Sequence, residues 1–439
     1  MADSEDPGPL PGPPRPPGPG EGEDDDGDDV GPMPGPMPGP MPGPEPPRKK
    51  RKKGLRFEKT YLDALPGANM YEKSYMHRDA VTSIVSVGSK SDFVISASKD
   101  GFIKFWKKTK SGIEFVKVFR AHLTHITALA CSADGTLLAT VSEDRTAKIF
   151  DVSNFDMISM INLHARPTSV CWTREKSETS AQLKLAIGFQ TGLVHVIDHL
   201  SCAKTRPEVD PAAAATEAIF KTHRSSVVAM AYNESADAVI SVDERGLIEY
   251  WRVVSEGGTS TFLSFPSDCT AFAYKSDTHL FDLAKAKCTA LSLSISPGGK
   301  HFVCMCTDFR LRLFVFATGK LKRVYDETLE ASRELQDEGG PEFRLEDIDF
   351  GRRFAVEKKY HAALADAAKQ LGEREGVSNQ DLVSAPNAIF DQSGHFLVYS
   401  TLLGVKIVNI HTNKVTSILG KVENTERFTH VALYQGELL

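Results

Sequence analysis

The sequence predicts an all-β fold built from one repeated hairpin unit, and three observations predict it. Residues 95–106, "ISASKDGFIKFW", alternate apolar and polar on both sides of an Asp-Gly pair, the pattern of two strands joined by a tight turn. Near copies recur, "ATVSEDRTAKIF" at 139–150 and "ISVDERGLIEYW" at 240–251. The best-matched units stand about 45 residues apart, the spacing of four-stranded propeller blades. The expected architecture is a β-propeller of six blades plus the start of a seventh, with a helical insertion and a disordered N-terminal tail.

The tail comes first, over residues 1–55. Residues 1–47 combine a Pro/Gly/Met repeat, "GPMPGPMPGPMPGPEPP", with the acidic block "EGEDDDGDD". That composition buries too little apolar surface to offset chain entropy. Six cations follow, Arg48, Lys49, Lys50, Arg51, Lys52 and Lys53. Such a run beside an unfolded tail is accessible to an import receptor and predicts a nuclear location.

Residues 56–439 carry the propeller. Its units lead from "AVTSIVSV" to "FIKFW", from "HITALACSADGTLLATVS" to "TAKIFDV", from "TSVCW" to "GLVHVID" and from "SVVAMAY" to "LIEYW". Two more run from "TALSLSISPGGKHFVCMC" to "RLRLFVF" and from "NAIFDQSGHFLVYST" to "GVKIVNI". A polar, Ala-rich connection at 201–218 interrupts the rhythm. Residues of about 321–382 read as a helical insertion, because Ala, Leu, Glu, Lys and Arg dominate with apolar spacing near 3.6. The final "HVALYQGELL" looks like the first strand of a seventh blade, and residues 56–75 are expected to lend outer strands to a late blade.

Bulk properties exclude several classes. The 439 residues are 41% hydrophobic and 25% charged, normal for a globular protein. No run of eighteen apolar residues predicts a membrane span. A net charge of −6 does not by itself point to nucleic acid. The seven cysteines form no CxxC pair and read as buried thiols, so neither metal nor cofactor is expected.

The units share polar residues as well as alternation. His77, Ser98, Asp100 and Trp106 occur in the first, His122, Ser142, Asp144 and Phe150 in the second, His223, Ser241, Asp243 and Trp251 in the fourth. Each His lies four residues before an apolar strand, and each Ser two before the Asp. A hydrogen-bonded relay explains the set: indole N–H to Ser, Ser hydroxyl to His, His N–H to Asp. Phe150 lacks the indole donor, so Asp144 is expected to matter less than Asp100. The same residue types build a hydrolase triad. Here, however, they repeat with each hairpin and no GxSxG elbow accompanies them, so no catalytic residue is assigned. Arg145, Arg245 and Arg310 lie at or just after hairpin turns, where they either line one face of the ring or are ordinary turn charges.

The His…Ser-x-Asp…Trp pattern resembles the WD repeat, whose fold is a β-propeller. The third unit departs from it with Thr191-Gly192, and the fifth with Cys306 for Ser and no His before Asp308. Segments "FEKTYLDALPGANMYEKSYMHRDAVT", "GIEFVKVFRAH", "FGRRFAVEK", "FDQSGHFLVYSTLLGVKIVNI" and "ILGKVENTERF", in this order, resemble the peptidyl-prolyl isomerase and WD repeat-containing proteins, a nuclear cyclophilin family. The resemblance implies a WD propeller followed by a cyclophilin domain, association with the spliceosome, and in a plant relative a link to chromatin and histones. The cyclophilin motifs do not occur in these residues, and "MHRD" at 76–79 belongs to the first repeat. The chain is therefore expected to be a nuclear interaction scaffold that binds splicing factors or histones without isomerising prolyl bonds. Two alternatives stand beside this: a truncated form of an active isomerase, and an RNA-binding propeller using basic stretches such as "FWKKTK".

Overall fold

The computed structural model describes residues 55–435 except 69–70, 88–90, 111, 177–181, 199–215, 257–259, 374–383 and 423–426. The basic run from Arg48 to Lys53 and the tail before it lie outside these residues.

Among the described residues, six antiparallel four-stranded meanders follow one another along the chain. Blade one is β1 (Val81–Ser86), β2 (Phe93–Ser98), β3 (Phe102–Thr109) and β4 (Gly112–Arg120). Blade two is β5 (Ile126–Cys131), β6 (Leu137–Ser142), β7 (Thr146–Asp151) and β8 (Asp156–Asn162). Blade three is β9 (Pro167–Lys176), β10 (Gln182–Phe189), β11 (Leu193–Asp198) and β12 (Thr216–Lys221). Blade four is β13 (Val227–Asn233), β14 (Ala238–Asp243), β15 (Ile248–Glu256) and β16 (Ser260–Ser264). Blade five is β17 (Ala290–Ile295), β18 (His301–Cys306), β19 (Arg310–Val315) and β20 (Lys320–Asp326). Blade six is β21 (Ala388–Phe390), β22 (Phe396–Thr401), β23 (Gly404–Asn409) and β24 (Lys414–Leu419).

The first strands of successive blades lie beside one another, as propeller blades must around an axis. The second strands are sandwiched between two neighbouring sheets, so both of their faces are hidden. In β14 every side chain from Ala238 to Asp243 is buried. Each consecutive pair from blade one to blade six shares its own apolar cluster. Ile95, Ile103 and Phe105 of blade one meet Leu138 and Phe150 of blade two, for example. Burying each such side chain contributes about 1.5–3 kcal/mol.

The turn between the second and third strands touches the next blade. Gly101 has φ 81°, and a Cβ there would lie 2.5 Å from the His122 carbonyl oxygen. Gly192 repeats the arrangement at φ 81° against the His223 carbonyl, 2.4 Å away. The Thr191-Gly192 turn of the third unit thus keeps the glycine that the close approach requires.

Three boundaries differ from expectation. The insertion begins later than 321, because Lys320–Asp326 pair with β19 as the outer strand β20. Its helices are α3 (Leu329–Glu338) and α4 (Asp347–Glu373), with Thr328 capping α3 through its side chain. Residues 216–218 belong to β12 rather than to the preceding connection. The described residues of 56–75 supply no outer strand. Instead α1 (Glu58–Asp63) precedes Leu65, which packs with Tyr61 and Leu62 against Phe396, Val398 and Ile407 of blade six. A further short helix, α2 (Asp282–Lys285), stands between blades four and five, where no helix is legible in the sequence.

Residues 427–435 lie between blades six and one without forming a strand. The Ile84 N–H donates to His430 Nδ1 at 3.3 Å. Asn387 exchanges two hydrogen bonds with the Val431 backbone, at 2.7 and 2.8 Å.

Candidate functional site

In every blade the turn between the second and third strands and the loop entering the first strand lie at the same end. The polar relays occupy that end and fix it.

Blade four brings together the four residues read from its sequence, with the first two links hydrogen-bonded and the third a longer contact. Trp251 Nε1–H donates to Ser241 Oγ at 2.9 Å, and Ser241 Oγ lies 2.7 Å from His223 Nε2. His223 Nδ1 faces Asp243 Oδ2 at 3.5 Å. All four side chains are buried. Burial alone would raise the Asp243 carboxyl. The nearby His223 ring and the Leu247 N–H, which donates to Oδ1 at 2.8 Å, outweigh it and hold the group below the usual carboxylate range, while Oδ2 has no hydrogen-bond partner.

In blade one the hydroxyl is Ser96, not Ser98. Trp106 Nε1–H donates to Ser96 Oγ at 2.7 Å, and His77 Nε2 lies 2.6 Å from it. Ser98 donates to Asp100 instead and closes the turn locally. His77 Nδ1 is buried and has no hydrogen-bond partner, so Asp100 does not complete this relay. Burial, aided by the Lys104 charge, pushes the His77 pKa down.

In blade two the hydroxyl is Thr140, not Ser142. Thr140 Oγ1 is 2.8 Å from His122 Nε2, and His122 Nδ1 is 3.1 Å from Asp144 Oδ2. Ser142 Oγ donates to the His125 carbonyl at 2.7 Å. Asp144 also accepts from Thr146 Oγ1 at 2.6 Å and from the Leu123 N–H at 3.2 Å. Burial raises this carboxyl, but the Thr146 bond and the His122 charge outweigh it and hold its pKa low. Phe150 contributes packing only, at 5.6 Å from the Phe119 ring.

Strand register explains both substitutions. Ser96 stands opposite Lys104, Thr140 opposite Lys148 and Ser241 opposite Glu249. In each case the aromatic residue lies two positions further along the third strand, on the same face. The hydroxyl must therefore stand ten residues before the aromatic. The hairpin register of blade four is the same, but its Asp stands two positions earlier, and only there does the hydroxyl also fall two before the Asp.

Blade five uses different chemistry. Arg312 donates to both Asp308 oxygens, at 3.0 and 2.7 Å, and through Nε to Asp282 at 3.0 Å. This buried guanidinium stands in for the missing histidine; its signal in the sequence is the second Arg of "RLRLF", set between leucines. Cys288 and Cys306 bring two sulfur atoms near the Asp308 carboxylate, all three ligand atoms lying within 4.8 Å of one another. Both Asp308 oxygens are already engaged by Arg312. The hydrogen bond with Cys288 comes first, and burial second, in pushing the Cys306 thiol up. The set is that of a satisfied buried cluster rather than a metal centre.

The helical insertion is anchored at the same end of blades five and six. Arg353 of α4 donates to the Leu403 carbonyl at 2.9 Å and to the Lys421 carbonyl at 2.7 Å. Tyr360 and Leu364 pack with Phe309. Arg427 donates to both Glu357 oxygens, at 2.6 and 2.7 Å, and lies over the Tyr360 ring. Arg145, Arg245 and Arg310 are exposed on the turns of blades two, four and five, and Arg310 is paired with Asp326 at 2.9 Å. Arg78 of the "MHRD" stretch is exposed in the loop entering blade one. No helix among the described residues is long and apolar enough to cross a membrane.

Six four-stranded meanders among the described residues, three of them with a His-centred relay, define a WD-repeat β-propeller, and the WD domain, G-beta repeat family matches residues 72–107 and 113–151. The chain is 46% identical to Peptidyl-prolyl cis-trans isomerase CYP71 of Arabidopsis thaliana over 392 residues, 89% of this chain and 56% of that protein. It is 42% identical to Peptidyl-prolyl cis-trans isomerase cyp15 of Rhizopus delemar, over 93% of this chain and 58% of that one. To Peptidylprolyl isomerase domain and WD repeat-containing protein 1 of Homo sapiens it is 39% identical, over 88% and 54%. The chain belongs to the family of peptidylprolyl isomerase domain and WD repeat-containing proteins, and it spans about half the length of the curated relatives it matches.

Proposed function

We propose that this propeller is a nuclear interaction scaffold that docks protein partners on the end of the ring carrying the relays. One observation carries the reading: in blades two and four the entering loop and the central turn are tied by His-to-Asp contacts. Pre-set loops on a rigid frame bind at low ordering cost. Exposed Arg145 and Arg245 suit partners with acidic or carbonyl-rich surfaces. The family points to splicing factors or histones as partners. The relay residues bind no substrate here, and any isomerase activity of a longer family member would reside outside residues 56–439.

The test is direct binding of the purified chain to reconstituted splicing complexes and to nucleosomes, followed by crosslinking. Binding by the wild type that falls about tenfold in the Arg145→Glu/Arg245→Glu double variant is expected. Absence of binding to both preparations would remove the scaffold reading. A prolyl-peptide assay on the same chain should stay at the uncatalysed rate, and acceleration blocked by a cyclophilin inhibitor would overturn the assignment of activity.

A further inference from the structure

Blade five places two thiols where blade two places two hydroxyls. In blade two Thr124 Oγ1, in the loop entering the blade, lies 3.0 Å from Ser142 Oγ at the end of β6. Ser142 stands opposite Ile126, and Thr124 is two residues before that strand residue. The same count in blade five starts from Ala290, opposite Cys306, and reaches Cys288. Cys288 and Cys306 therefore hold the tie between the loop entering blade five and the end of β18. Their sulfur atoms lie within 4.8 Å of each other, and both residues are buried free thiols. The loop behind Cys288 also supports blade four. Thr289 Oγ1 donates to the Glu244 carbonyl at 2.7 Å, and a Cβ on Gly246 would lie 2.7 Å from the Cys288 carbonyl oxygen.

The two thiols are not equivalent. The Cys306 S–H donates to the Cys288 sulfur and holds the Cys288 thiol below its ordinary value, and the Arg312 charge acts in the same direction. A sulfur so placed is the nucleophile of the pair, and its protonated neighbour is the resolving thiol. The cover over Cys288 is thin. Residues 285–287 before it are exposed, and Lys287 holds a left-handed φ of 53°, which costs energy in a residue with a Cβ. We propose that Cys288 and Cys306 form an oxidation site, closed to a disulfide by hydrogen peroxide and reopened by a thiol reductant. The Cys288 sulfur attacks one peroxide oxygen, the O–O bond breaks, and the other oxygen leaves as water. The Cys306 sulfur then attacks the resulting sulfenic sulfur, and the hydroxyl leaves as a second water. Two thiol protons end in the waters, and the two electrons lost by the sulfurs reduce the peroxide. The disulfide fixes the loop that backs the Arg245 turn. The oxidation stands apart from the scaffold reading, and only its bearing on docking through Arg245 rests on that reading.

The experiment treats the folded full chain with a small excess of hydrogen peroxide, alkylates the remaining thiols in urea and maps the tryptic peptides by mass spectrometry. A disulfide joining residues 288–300 to residues 301–310 is expected, with fragmentation placing it on Cys306 rather than Cys304, and dithiothreitol should remove it. Cys306→Ser, which restores the hydroxyl of blade two, should abolish the link, and Cys269→Ser should leave it in place. Cys288→Ser serves if Cys306→Ser fails to fold by circular dichroism. Trypsin should cut the folded chain after Lys287 several-fold more slowly when it is oxidised, and the serine variant should show no such difference. A link to Cys304, sulfinic acid at Cys288 without a link, a link formed only in urea, or equal cutting of the two forms would each overturn the proposal. Failure to bind splicing complexes and nucleosomes would remove the scaffold reading alone and leave the disulfide standing.

Discussion

Glu327 and Lys406 lock blade six to the end of blade five. The ammonium donates to both carboxylate oxygens, at 2.6 and 2.8 Å, and Tyr399 donates to the same carboxylate at 2.9 Å. Lys406 is buried. Lys406→Met should cost about 3–5 kcal/mol, because it strands a buried carboxylate. Glu327→Gln/Lys406→Met together should recover part of that loss. Urea midpoints measure both, and a double variant no better than the single one would contradict the lock.

Asp144→Ala should destabilise the chain more than Asp100→Ala. This reverses the order expected from the missing indole donor at Phe150. Asp144 holds His122, Thr146 and the Leu123 N–H, while Asp100 accepts from Ser98 and, at 3.3 Å, from the Phe102 N–H. A loss of about 1–3 kcal/mol at Asp144 is expected. Denaturation of the two variants side by side decides the order.

The serines can be ranked in the same way. Ser241→Ala leaves a buried indole N–H and a buried imidazole without their shared partner, at about 1–3 kcal/mol. Ser96→Ala should cost less, because Trp106 is only partly buried and its N–H can turn to water. Equal losses would mean that the Trp106 indole is no wetter than that of Trp251.

Stability should fall as pH is lowered from about 6.5 to about 4. Burial pushes His430 down to about 4, and burial with the Lys99 and Arg166 charges does the same to His125. Both folded values lie below the unfolded one, so the unfolded chain binds more protons in this window. The stabilisation is complete above pH 6.5 and is lost on acidification, at up to about 1.4 kcal/mol per pH unit for each group. Protonating His430 also removes the acceptor of the Ile84 N–H. His430→Gln should flatten the dependence of the urea midpoint on pH between 7 and 5, and an unchanged slope would count against it.

Replacing Arg48, Lys49, Lys50, Arg51, Lys52 and Lys53 by Ala should leave a tagged chain in the cytoplasm. Nuclear accumulation of that variant, imaged beside the wild type, would refute the import signal.

Alternation and turn pairs made the blades legible, because a buried strand must repeat every two residues and its turns must suit a left-handed glycine. The hydroxyl of each relay was readable only in part. Counting back from the Asp selects Ser98 and Ser142. The partner is set instead by the diagonal across two strands, which counts back from the aromatic to Ser96 and Thr140. In the fourth unit the Asp stands two residues earlier in a hairpin of the same register, so there both counts reach Ser241. Arg312 replaces a histidine by different chemistry, so no search for the repeat pattern finds it. Ties such as Lys406 to Glu327 and Arg427 to Glu357 join residues 79 and 70 positions apart, which local pattern cannot reach.

Blades three and four differ from the rest. β15 runs parallel to the far end of β9, with Val253 opposite Glu175 and Val254 opposite Lys176, and merges the two sheets into one. Elsewhere the blades are separate ladders, and a solenoid-like chain of such units sheds them one by one. Under tension this pair should behave as a single link. An optical trap pulling on the chain ends would then record one long rip where two short ones are due, with the toughest stretch of the ring at its middle.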